Sequence, residues 1–136
     1  MTPVHQFTHD GDRVKFLRCC EPDGTSYGGF KWPLVGETVR PDQWVADSNC
    51  GNGLHGWPWG VAFGDGMSPK FDGLWIVFSA LPEDVIDLGG KCKVREAIVE
   101  FRGSYQEALS ILLPGYHAWV LVASSGASSE IGRAHV

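Results

Sequence analysis

The stretch Cys50-Gly51-Asn52-Gly53-Leu54-His55-Gly56-Trp57-Pro58-Trp59-Gly60 constrains this chain more than any other. Glycine at 51, 53, 56 and 60 makes a regular helix or strand costly there, because glycine loses the most backbone freedom on ordering. Two tryptophans in the same stretch argue against an idle linker, since exposed indole is rarely left without a partner. A backbone hairpin that holds His55, Trp57 and Trp59 at the rim of a pocket satisfies both conditions.

The flanking chain reads as short strands and tight turns. Eighteen glycines, eight prolines and six tryptophans in 136 residues disfavour a helical bundle. The expected fold is α+β and mostly β: one compact domain with a mixed or antiparallel curved sheet of about six strands and one short helix over 105–113. Val14–Cys20 reads as the first strand, closed by the turn Glu21-Pro22-Asp23-Gly24. Residues 27–32 and 37–40 read as further extended pieces. Leu74–Ala80 is a continuous apolar run of strand length, expected at the centre of the sheet and covered on both faces. Residues 85–87 form a short piece. Lys91–Arg102 alternates in two phases that slip near Arg95-Glu96, which predicts a bulge or corner. Ser104 with Glu107 makes a capping box for the helix, Pro114-Gly115 is expected to stop it, and His117–Ala123 then reads as a last strand. Residues 1–13 are assigned to an N-terminal arm, 14–123 to the globular domain and 124–136 to a disordered tail. Within that tail 130–136 reads as the translation of a sequencing adapter.

A net charge of −5 disfavours a general DNA or RNA coat and leaves room for a small anion held by a few local cations. No apolar run approaches the roughly 20 residues that cross a bilayer, and residues 1–6 carry no export signal, so the expected setting is the cytoplasm, without a membrane partner. Cys19, Cys20, Cys50 and Cys92 lack zinc-site spacing and are read as free thiols, with a Cys50–Cys92 bridge as the alternative. No dinucleotide fingerprint, phosphate-binding loop or nucleophile elbow is present, and no cofactor or metal is expected.

The candidate ligand-binding residues are His55, Trp57, Trp59, Trp32, Lys91, Lys93 and Arg95. His55 offers a hydrogen bond from a flexible turn, or acid–base chemistry. The three indoles offer a stacking platform for a flat base. Lys91, Lys93 and Arg95 occupy alternate positions of one strand, so they share a face that suits a diphosphate, with Arg18 and Lys31 available to add charge. Each has a plainer reading: a histidine that ties its own turn, tryptophans that fill the core, and a solvated strand face. If the chain is an enzyme, His55 and His117 are the candidate acid and base, and Tyr116 lies beside the second.

Three features together resemble an uncharacterised family of small phage and bacterial domains: Gly29-Phe30-Lys31-Trp32 followed by Gly36, the turn Cys50-Gly51-Asn52-Gly53-Leu54-His55, and a downstream apolar strand leading into Ser/Ala/Gly-rich sequence. Leucine before the histidine and Gly-Trp-Pro-Trp after it depart from that pattern. The resemblance implies a phage or bacterial cytoplasm and importance for Cys50 and His55, and carries no activity. The functional expectation is a phage-type binding protein that sequesters a small nucleotide-derived ligand, such as a cyclic nucleotide or ADP-ribose derivative used as a host immune signal. The alternatives are a metal-independent enzyme acting on such a nucleotide and a structural phage domain without a ligand. A dimer or larger homo-oligomer is the expected assembly.

Overall fold

The computed structural model describes residues 2–135, without the side chains of Tyr27 and of 126–135. Seven strands form one curled antiparallel sheet, and one helix packs on it. The strands are β1 (Val14–Cys20), β2 (Thr38–Val39), β3 (Leu54–Pro58), β4 (Leu74–Ala80), β5 (Val85–Asp87), β6 (Cys92–Val94) and β7 (Ala97–Gly103), in the order β2-β7-β4-β1-β3-β6-β5. The helix is α1 (Tyr105–His135).

The apolar runs behave as elementary burial demands. β4 lies between β1 and β7, and Trp75 to Phe78 and Ala80 are fully buried. Phe16 stacks on Phe78 at 5.2 Å, and Trp32 stacks on the same ring at 5.2 Å. Leu17, Trp57 and Trp75 lie on the other face, where Trp75 meets Tyr105 of α1 at 4.7 Å. The phase slip at Arg95-Glu96 is a real break: it separates β6 from β7. β7 then pairs with β4, with a register shift at Val77/Phe78.

Three expectations are corrected. The stretch 50–60 does contain a regular strand, β3, because Gly56 lets two phenylalanines lie against the backbone: a Cβ there would stand 2.7 Å from Phe78 Cζ and 3.0 Å from Phe16 Cβ. Residues 27–32 are not a strand. They hold a 3-10 turn at Tyr27–Gly29 and a single bridge, Thr25 to Lys31. The last strand, 117–123, is absent because α1 runs straight through Pro114-Gly115. Ser104 and Glu107 form the expected cap, with the Glu107 amide donating to Ser104 Oγ at 3.2 Å and the Ser104 hydroxyl donating to Glu107 Oε1 at 2.9 Å. Proline inside a helix removes one hydrogen bond but does not have to end it. Gly115 serves packing, not termination: a Cβ there would stand 2.1 Å from the Trp59 ring.

Because the helix continues through Pro114, Tyr105–Ser125 is by length and composition apolar enough to cross a membrane, contrary to the expectation that no run reaches that length. Its first turns are packed on the sheet through Ala108 and Leu112, both buried. The N-terminal residues also join the domain: Gln6 Nε2 donates to the Pro82 carbonyl at 3.2 Å, and the Trp59 indole N–H donates to the Phe7 carbonyl at 2.9 Å.

Candidate functional site

The sheet has a seam. β1 pairs with β4 along its whole length, from Val14 opposite Ala80 to Cys20 opposite Leu74. On its other side β3 follows it only at Phe16–Pro58 and Leu17–Trp57. The remainder of β3, Leu54–Gly56, pairs outward with β6. Beyond Leu17, then, β1 and β3 diverge, and the gap must be filled by side chains.

Arg18 fills it. Its Nη1 donates to the His55 carbonyl at 2.9 Å, and its guanidinium lies over the Trp32 ring, 5.0 Å from the centroid. Arg18 is only 8% exposed, yet it forms no ion pair with any carboxylate among the described residues. Its Nε and the Trp32 Nε1 are both buried and without an acceptor there. Both side chains line one cavity of about 700 Å³, together with Phe30, Gly51–Gly53, His55 and Lys91. That volume falls within the roughly 300–1,000 Å³ of small-molecule sites. Two cations line it against one carboxylate, Asp42. A buried guanidinium without a counter-charge is expensive to maintain.

His55 has a defined state. Its Nε2 accepts the Gly51 N–H at 3.2 Å, which places the ring proton on Nδ1. Burial, then the positive charges of Lys91, Arg18 and Lys93, push its pKa down to about 4. At neutral pH it is an uncharged imidazole with one N–H to give. Its acceptor nitrogen is already used and it holds no second proton, so it suits donation of a hydrogen bond better than acid–base work. His117 sits on α1 against Tyr116, at 6.0 Å between rings, and does not line the cavity.

The remaining sequence candidates separate cleanly. Lys91 lines the cavity and its Nζ lies 3.0 Å from Cys50 Sγ. Trp32 lines it with its indole otherwise enclosed. Trp57 and Trp59 are core residues, 0% and 2% exposed, so they offer no stacking face; the Trp57 indole N–H donates to the Asp65 carbonyl at 3.0 Å. Lys93 is fully buried and turned to the loop before β3, where it meets Asp47 Oδ1 at 2.8 Å. Arg95 falls beyond the end of β6 and pairs with Asp84 at 2.7 Å. The expected basic row therefore does not exist as one surface: burial and the phase slip send its three members to three places. Arg18, which the sequence offers only as added charge, is the buried cation of the cavity. Its signal in the sequence is an arginine inside the apolar run Val14–Cys20.

The four cysteines are free; Cys19, Cys20 and Cys92 are buried and Cys50 is exposed. Burial pushes the Cys92 thiol up to about 12. Among the described residues no three His, Cys, Asp or Glu side chains gather as a metal-binding set. No family model, curated protein or solved structure matches the chain.

Proposed function

We propose that this protein binds and retains a small nucleotide-derived anion in the cavity between β1 and β3. The observation that carries the reading is Arg18, a nearly enclosed guanidinium with no carboxylate partner and an unpaired Nε, beside a second unpaired donor at Trp32. A phosphate is the acceptor-rich group that suits Arg18 and Lys91. The neutral His55 Nδ1–H and the turn 51–53 supply hydrogen-bonding groups for a base or sugar, and half-buried Phe30 supplies apolar contact, the Trp32 ring being already covered by Phe78 and Arg18. The arrangement is dominated by donors, and the one imidazole in the lining has its acceptor nitrogen occupied by the Gly51 N–H, which favours binding over turnover. In the phage or bacterial cytoplasm that the sequence resemblance implies, such a protein would sequester a nucleotide signal used in host immunity.

Calorimetric titration with cyclic nucleotides and with ADP-ribose tests this, followed by chromatography of the ligand released on heat denaturation. Saturable binding of at least one of these, with the ligand recovered intact, is the expected result. Absence of binding across the set rejects the ligand class, and recovery of cleaved product replaces binding by catalysis.

A further inference from the structure

We infer that Lys93, which makes no contribution to the cavity lining, is the positioning residue that holds the cavity's loop wall in place. The inference rests on the cavity being the ligand site proposed above. Residues 41–43 and 50–53 supply nearly half of the lining, yet only β2 ahead of them and β3 behind them are regular structure. The segment between is fastened from below. Lys93 Nζ donates to Asp47 Oδ1 at 2.8 Å and to the Asn49 carbonyl at 3.0 Å, with the Gly51 carbonyl at 3.5 Å. The same ammonium lies 5.6 Å from the centroid of the Trp44 ring.

One buried cation thus gathers four residues of the loop, 44, 47, 49 and 51. A fully enclosed ammonium is tolerable only while such partners surround it, so the loop and the lysine hold each other. The consequence reaches the site directly. Gly51 is both an acceptor for Lys93 and the donor to His55 Nε2, so the latch fixes the hydrogen bond that sets the His55 tautomer. Release of Lys93 would free the wall while leaving Arg18 and Trp32 where they are.

Lys93→Met keeps length and apolar volume and removes the charge. Hydrogen exchange of the full-length protein, resolved by residue, is compared with titration of ADP-ribose as the probe. The expected result is exchange at least tenfold faster at Val45, Asn49 and Gly51, unchanged exchange in β1 and β4, and affinity for ADP-ribose at least tenfold weaker. Asp47→Ala, which removes the exposed partner instead, is expected to move the same amides in the same direction. Arg18→Met serves as the contrast: it abolishes probe binding and leaves exchange in 44–51 unchanged. Unchanged loop exchange in Lys93→Met overturns the inference, as does faster loop exchange with undiminished affinity. If the wild-type protein ignores ADP-ribose, a cyclic nucleotide replaces it as the probe; if it ignores the whole set while Lys93→Met frees the loop, the ligand proposal fails and the latch stands.

Discussion

Arg18 concentrates the physical tension of this molecule. Side chains that serve stability alone are normally satisfied, and a buried guanidinium without a carboxylate is a cost that folding must offset. Its replacement should therefore separate function from stability. Arg18→Met is expected to keep or raise Tm in thermal unfolding, while affinity for an anionic ligand falls by about 30-fold or more, the effect of losing a contact worth at least about 2 kcal/mol. A large fall in Tm would instead assign Arg18 to the scaffold. His55 gives a second, independent prediction through its pKa of about 4 against an ordinary 6.5. The unfolded chain takes up a proton at this residue below about pH 6.5, and the folded chain only near pH 4. The His55 contribution to stability is thus fully present above pH 6.5 and is lost as pH falls through that window to 4. Denaturant titrations at several pH values should show a shallower slope over pH 4–6.5 for His55→Gln; an identical slope would mean that His55 is not held neutral by the fold. Cys50 is the one exposed thiol of the four, so a thiol reagent should modify one cysteine quickly and the others only on unfolding.

At the scale of elements, β1 and β4 were legible in the sequence because they are apolar runs bounded by turns, and both occupy the residues their runs predicted. β3 and the length of α1 were not. Both depend on glycines whose meaning is set by a distant ring, Phe78 for Gly56 and Trp59 for Gly115, and no local pattern announces such a partner. Gly115→Ala makes the point testable. Helix propensity alone would make it stabilising by about 1 kcal/mol. The methyl group would lie 2.1 Å from the Trp59 ring, and overpacking of this kind costs about 1–3 kcal/mol before any displacement of the helix is counted. The net expectation is a lower Tm by several degrees. A higher Tm would show that Trp59 yields easily and that the glycine is incidental.

For the molecule as a whole, the residues that line the cavity were legible in the sequence only in part. The glycine-rich turn and His55 do border a cavity, and Trp32 and Lys91 join them. The sequence could not show that β1 and β3 separate after two paired residues, because divergence of strands is a property of the closed sheet and not of either strand. That separation is what turns Arg18 from a strand residue into the floor of a cavity, and what leaves Trp57 and Trp59 inside the core. Among the helix residues whose side chains are described, the buried ones are Ala108, Leu112 and Gly115. Deletion of 130–136, the segment that reads as an adapter translation, is expected to leave Tm within about 1–2 °C of the full chain.

Under the proposed function, two buried donors without a protein acceptor, Arg18 Nε–H and Trp32 Nε1–H, pair with acceptors of the ligand. Both groups give their own signals in a ¹H–¹⁵N correlation spectrum, so titration with ADP-ribose or a cyclic nucleotide reads them directly. With at least one of these ligands, both signals are expected to shift together and saturate at one dissociation constant, and Arg18→Met is expected to remove the response at Trp32. Ligand binding that leaves both signals unmoved, with its shifts confined to other residues, would contradict it.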